Sequence, residues 1–201
     1  MTQLHYLIRN IFVTNNDILR RIRYTFDFND KKMIAVFGMA DYPVTREQIS
    51  DWLKQDDDPA FKECSDNLLA IFLNGLIVFK RGKKEGPKPE PEKHLTNNII
   101  FRKLKIALNL QADDILAIMK LAEFEISKHE LSAFFRKKGH KHHRICKDQI
   151  LRKFLKGVQL KFRENAPAKS EPESVWNAKL KSAEKAKKET PQKPRLSLVK
   201  K

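Results

Sequence analysis

From Asn16 onward the apolar residues recur at helical rather than strand spacing. Ile18, Leu19, Ile22 and Phe26 stand at i, i+1, i+4 and i+8 with arginines between them, which predicts an amphipathic helix over 16–26. Met33, Ile34 and Phe37 follow Asn and Asp residues able to accept the free amides of a helix start, and predict a short, mostly buried second helix over 30–39. A turn at 41–44 containing Pro43 leads into Thr45-Arg46-Glu47-Gln48. That run is a capping box, Ser or Thr followed three residues later by Gln or Glu, and opens a third helix carrying Ile49 and Trp52. Beyond a polar loop, Asp66 is expected to cap a fourth helix with the stripe Leu69, Phe72, Leu73 and Leu76.

The whole pattern then returns. Residues 16–80 align with 98–162 at a constant offset of 82 and without a gap. Asn16, Ile18, Arg20, Ala35, Ala40, Ser50, Cys64, Asp66, Leu69, Phe72, Leu73 and Gly75 recur as Asn98, Ile100, Arg102, Ala117, Ala122, Ser132, Cys146, Asp148, Leu151, Phe154, Leu155 and Gly157. Other positions change within type, such as Val44 to Ile126, Ile49 to Leu131 and Trp52 to Phe134. Helices are therefore predicted over 98–108 and 113–121, from the capping box Ser127-Lys128-His129-Glu130, and after Asp148. The chain is a tandem duplication, and its predicted fold class is all-α: two homologous repeats of about four helices each, packed together. Gly75 and Gly157 fall inside the fourth helices, where glycine costs about 1 kcal/mol relative to alanine. Their recurrence predicts the close approach of another backbone.

These patterns divide the chain into an N-terminal extension (1–15), repeat one (16–81), a linker (82–97), repeat two (98–163) and a Lys-rich tail (164–201). The linker mixes Pro, Gly and charge and is expected to be an extended, solvated spacer that lets the copies dock face to face. The tail has too few apolar residues to offset its ordering entropy and is expected to be disordered when free, with Ser174–Lys188 and its Trp176 able to become helical on a partner. The opening run LHYLIRNIFVT is interrupted by Arg9 and is far too short for a bilayer, so neither a signal peptide nor a membrane span is expected. Cys64 and Cys146 occupy equivalent positions and read as inherited structural residues rather than a pair, which fits a reducing cytoplasm. Each also precedes a predicted helix start, where dipole and free amides could lower a thiol's pKa, so a redox role stands as the alternative.

Charge changes the picture more than composition does. The formal net charge of +16 and pI near 9.8 point to polyanionic partners. Residues 16–80 hold nine Lys and Arg against eleven Asp and Glu, whereas residues 98–163 hold sixteen against six, so the basic charge lies in the second copy and the tail. Its densest stretch is Arg136-Lys137-Lys138-Gly139-His140-Lys141-His142-His143-Arg144-Ile145-Cys146. Lys128, Arg136, Lys137, Lys138, Lys141, Arg144 and Lys147 are the candidate phosphate contacts. His140, His142, His143 and Cys146 could supply soft metal ligands, but the spacing H-x-H-H-x-x-C matches no structural zinc pattern and the flanking cations oppose a dication, so no metal and no cofactor is expected. The matching stretch of copy one, Gln55-Asp56-Asp57-Asp58-Pro59, is acidic. Opposite loops on one duplicated scaffold suggest different partners for the two copies, or one molecule's basic loop meeting another's acidic loop.

The arrangements NDILRRIRY, ISDWLK and C-S-D-x-x-L-x-x-F-L-N-G-L-I-x-x-K-R-G, followed by NNIIFRKLKIAL and C-K-D-Q-x-L-R-x-F-L-K-G, resemble the bacterial YehS-like family of tandem-repeat proteins of unknown function. The resemblance spans about residues 15–163 and implies no catalytic residue. It also implies that residues 1–14 are an extension or a misplaced start.

No Gly-rich phosphate loop follows a strand, no H-E-x-x-H occurs, and no Ser, His and acid trio stands in motif context, so an enzyme is not expected. Leu121, Ile126, Leu131 and Phe134 stand at spacings that resemble a helix-turn-helix core. In that reading the third helix of copy two presents Lys128, His129, Ser132, Arg136 and Lys137, although an ordinary helical hairpin gives the same spacing. The functional expectation is a non-enzymatic cytoplasmic protein that meets nucleic acid or the ribosome through repeat two and the tail, with repeat one facing another protein and no membrane partner. The alternatives are a protein-interaction adaptor and a metal or redox sensor.

Overall fold

A computed structural model describes residues 13–87 and 89–163, and eight helices occupy them with no strand among the described residues. Copy one holds α1 (Asn15–Thr25), α2 (Asp30–Met39), α3 (Arg46–Leu53) and α4 (Asp66–Arg81). Copy two holds α5 (Asn97–Ala107), α6 (Ala112–Leu121), α7 (Lys128–Phe134) and α8 (Asp148–Arg163). The extension to Phe12 and the tail from Glu164, including Trp176, lie outside the described residues.

The helix starts follow the sequence chemistry. Thr45 Oγ1 accepts from the Gln48 amide at 3.3 Å while Gln48 Oε1 accepts from the Thr45 amide at 2.8 Å, and Ser127 and Glu130 form the same reciprocal pair at 3.1 and 2.9 Å. The fourth helices differ from the expectation that Asp66 and Asp148 cap them, since each aspartate is the first residue inside its helix. Ser65, not Asp66, caps α4, its Oγ accepting from the Leu68 amide at 3.2 Å. Asp66 sits one position inside, where its carboxylate accepts from Asn15 Nδ2 at 2.8 Å and from the Leu95 amide at 2.9 Å. Both residues can cap, and the tertiary partners of Asp66 decide which does.

One buried asparagine ties each copy together. Asn16 Nδ2 donates to the carbonyls of Trp52 (2.8 Å) and Lys62 (2.9 Å), and its Oδ1 accepts from the Cys64 amide at 2.9 Å. Asn98 repeats this with Phe134, Arg144 and Cys146 at 2.9, 2.8 and 3.0 Å. Each side chain thus clamps both ends of the loop between the third and fourth helices of its copy. The αL positions recur as well, at Asp27 and Asn109 and at Asp41 and Glu123, with φ between 49° and 58°.

Both glycines do what their recurrence predicts. A Cβ on Gly75 would overlap the carbonyl oxygen of Val36, and one on Gly157 that of Ile118, so α4 lies against the α2 backbone and α8 against α6. The two cores are filled differently around this shared contact. In copy one Leu19 accompanies Phe37, whose ring lies 5.1 Å from Phe72 and 5.5 Å from Trp52. In copy two the large and small positions exchange, Met119 replacing Phe37 and Phe101 replacing Leu19, and the Phe101 ring packs 4.1 Å from Phe154. Such a swap conserves volume, which cores tolerate well.

The copies meet reciprocally. The first helix of each packs more extensively on the fourth helix of the other than on its own fourth helix, α1 on α8 and α5 on α4. This is the exchange that a two-fold relation produces. Each pair runs in the same direction: Arg21 donates to Gln159 and Arg163 to the Tyr24 carbonyl along α1 and α8, while Lys103 donates to Asn74 and Arg81 to Asn109 along α5 and α4. Both seams therefore bury a cation. Burial works against the charge of Arg21, which Asp17 one turn earlier supports.

Lys103, 7 % exposed, takes its counter-ion from the linker, Glu92, at 2.9 Å. This corrects the expectation of a wholly solvated spacer. Asn67 and Asn74 also donate to the carbonyls of Glu92 and Pro89 at 3.4 and 3.3 Å, so the later part of the linker is docked while 82–86 remains exposed. Buried amides and a buried ammonium need acceptors, and a proline-rich segment offers carbonyls with few competing donors.

Candidate nucleic-acid interface

The basic loop is a shaped projection. Asn98 fixes its two ends, the Arg144 amide donates to the Ala133 carbonyl at 3.1 Å, and inside it the His140 and His143 amides donate to Lys137 and His140 carbonyls at 3.0 and 2.8 Å. Gly139 supplies the positive φ (93°) that this tight reversal requires. Lys137, Lys138, Lys141, Arg144 and Lys147 are exposed, Arg136 is half-buried, and Ile145 stands 75 % exposed at the loop's exit. Lys128 is exposed on α7 and paired with Asp113 at 2.7 Å, a solvent-screened contact of small energetic weight.

α7 is shorter than the helix-turn-helix reading requires. It ends at Phe134, because Phe135 turns inward to pack edge-on against Phe101 at 5.2 Å. Arg136 and Lys137 therefore belong to the loop rather than to a recognition helix, and α7 exposes Glu130 beside Lys128, His129 and Ser132. The imidazoles of His129 and His140 lie 6.4 and 5.7 Å from that of His142, so three exposed rings adjoin one another among the lysines.

The electrostatic character becomes clear against the equivalent loop of copy one. There Asp51 holds Lys54 and Lys62, both at 3.0 Å, and Asp56 holds Arg20 at 3.1 Å. The two lysines pull the Asp51 carboxyl below its usual range. At offset 82 the cations persist as Arg136, Arg144 and Arg102, whereas Asp51 has become Ala133 and Asp56 has become Lys138. Glu130 is the acid that feels Arg144, but its carboxylate is committed to the Ser127 cap, and that hydrogen bonding is the main cause of its lowered pKa.

The histidines and cysteine do not converge. Cys146 is 1 % exposed beneath the loop while His140 and His142 face outward, and the described residues hold no group of three or more His, Cys, Asp or Glu placed for a metal ion. Burial pushes both thiols, Cys64 and Cys146, up to about 12, with Asp66 and Asp148 adding to the rise. Helix-start activation is thereby corrected: desolvation outweighs the dipole.

The sequence does not single out Arg102. It donates to the Phe135 carbonyl at 2.9 Å and so borders the loop. On an amphipathic helix it reads as one more solvated cation, and the signal for it lay in comparing the acids of the two copies position by position.

No helix among the described residues is long and apolar enough to cross a membrane. The family model described as "Protein of unknown function (DUF1456)" matches the chain twice, over residues 15–82 and 97–164. The chain is 44 % identical over 145 residues to the uncharacterized protein YehS of Escherichia coli strain K12, an alignment covering 72 % of this chain and 93 % of that protein. No solved structure matches.

Proposed function

The chain belongs to the DUF1456 family of tandem-repeat proteins of unknown function, and we propose that it is a non-enzymatic cytoplasmic protein that contacts the phosphate backbone of nucleic acid, free or ribosomal, through copy two. The observation that carries this reading is the selective loss of carboxylates. A scaffold that neutralises its own cations in copy one keeps those cations in copy two and replaces Asp51 and Asp56 with Ala133 and Lys138. Lys137, Lys138, Lys141, Arg144 and Lys147 then project to solvent around one loop, where released counter-ions favour binding to a polyanion. The neighbouring imidazoles of His129, His140 and His142 add flat surfaces on which unpaired bases can stack.

The test is binding of labelled duplex DNA and single-stranded RNA across a salt series, with the full chain and with Lys137, Lys138, Lys141 and Arg144 changed to Gln. Each lost phosphate contact lowers the log-log salt slope by about 0.9 on duplex, so the fourfold variant is expected to lose about 3.6 units of slope. Binding unaffected by those changes, or none near physiological salt, overturns the reading.

One observation favours a second reading, that of a protein-interaction adaptor. Met39 and Leu121, at equivalent positions ending α2 and α6, are 43 % and 46 % exposed. Two apolar side chains retained at the surface in both copies suit contact with another protein. That reading becomes the stronger one if nucleic acid does not bind.

A further inference from the structure

Near the end of α1, Arg20 and Arg23, with Arg163 from α8 and Asp27 beside them, line a cleft of about 280 Å³. Its α1 cations are neutralised locally. Arg20 pairs with Asp17 at 2.8 Å and Asp56 at 3.1 Å, and Arg23 pairs with Asp30 at 2.9 Å. The two-fold relation places a counterpart at the end of α5, formed by Arg102, Lys105 and, from α4, Arg81. All three cations are retained there. All four acids are gone: Asp17, Asp27, Asp30 and Asp56 correspond to Ile99, Asn109, Ala112 and Lys138.

Arg102 and Asn109 are exposed and Lys105 is half-buried, its ammonium 5.1 Å from the Phe135 ring. Arg81 donates to Asn109, and Arg102 to the Phe135 carbonyl at 2.9 Å, so the strip runs from the seam between the copies to the residue that precedes the basic loop. The carboxylates of neighbouring α6 are engaged elsewhere, Asp113 by Lys128 at 2.7 Å and Asp114 by the Gln111 amide at 2.8 Å with Lys161 at 4.0 Å.

We propose that Arg81, Arg102 and Lys105 form a second phosphate-binding strip, continuous with the 136–147 loop, so that a bound nucleic acid crosses α5 and reaches the seam between the copies. The proposal rests on the nucleic-acid reading of the loop and extends it to residues outside the loop. Loss of every neutralising acid around three retained cations is what a surface gains when its counter-charge comes from a ligand.

The experiment restores the acids without removing a cation. Ile99→Asp recreates the Thr14 and Asp17 capping box at Thr96, and Asn109→Asp places an aspartate at an αL position that Asp27 already occupies at φ 49°, so both changes suit the fold. The double variant, with melting temperature at or above that of the parent, is expected to bind labelled duplex DNA at least tenfold more weakly. Arg102→Gln with Lys105→Gln is expected to lower the salt slope by about 2. If both variants bind like the parent while the loop variant does not, the strip is refuted and the loop reading stands. If the parent itself does not bind, both fall.

Discussion

Asn16 and Asn98 show how a single side chain can position a site. Each satisfies two carbonyls and one amide that lie more than 30 residues away in sequence, and each sets the mouth of a loop. Asn98→Ala strands those groups, and buried unsatisfied groups cost about 1–3 kcal/mol each. Chemical denaturation is expected to show a loss of about 3 kcal/mol or more, with nucleic-acid binding weakened in parallel because the basic loop loses its anchor. The cysteines make the opposite case. Burial raises both thiols from an ordinary value near 8.5 to about 12, so the folded state holds protons that the unfolded chain releases. Their contribution to stability is intact below about pH 8.5 and is lost as pH rises toward about 12. Iodoacetamide at pH 8 is expected to label the unfolded protein readily and the native protein slowly; rapid native labelling would contradict this. At this scale the sequence disclosed that both residues matter, through their recurrence. The roles came only from folding, because a thiol's environment is set by chain segments far from it.

For the helices, recurrence was a sharper guide than propensity. Gly75 and Gly157 oppose helix formation, so their double appearance signalled a backbone contact, and α2 and α6 supply it. Gly157→Ala tests the balance directly. Helix propensity alone predicts stabilisation by about 1 kcal/mol, whereas overlap with the Ile118 carbonyl forces α8 and α6 apart and predicts destabilisation of about 2 kcal/mol or more. A lower melting temperature is the expected outcome. Two element-level readings failed for a shared reason. The linker is expected to be solvated and, in the helix-turn-helix reading, α7 to carry Arg136 and Lys137, yet Lys103 captures Glu92 and Phe101 captures Phe135. Both partners lie on α5, and local composition carries no record of such long-range competition.

Across the whole molecule, the duplication gives a reciprocal scaffold with unequal chemistry. Symmetry is kept inside, in the asparagine clamps, the glycine contacts and the paired seams. It is broken outside, where Asp51 and Asp56 hold Lys54, Lys62 and Arg20 in copy one while Ala133 and Lys138 stand at those positions in copy two. The all-α duplicated fold was legible because periodicity and recurrence report backbone and core. The candidate surface was only partly legible: a run of lysines marks the loop, while Arg81, Arg102 and Lys105 emerge only once α4 and α5 are seen side by side.

The seams also imply that a copy is incomplete alone, since its first helix packs more extensively on the fourth helix of the other copy than on its own. Residues 13–87 expressed alone are expected to pair as a dimer or to remain unfolded, as sedimentation and circular dichroism would report. A stable folded monomer would contradict the reciprocal seam.

The most direct test is a lysine footprint of the unaltered full chain, comparing acetylation rates by mass spectrometry with and without bound duplex DNA. The account predicts protection of Lys105, Lys137, Lys138, Lys141 and Lys147 in copy two, with Lys31, Lys54 and Lys62 of copy one unchanged. Equal protection of both copies, or none in copy two, would contradict it.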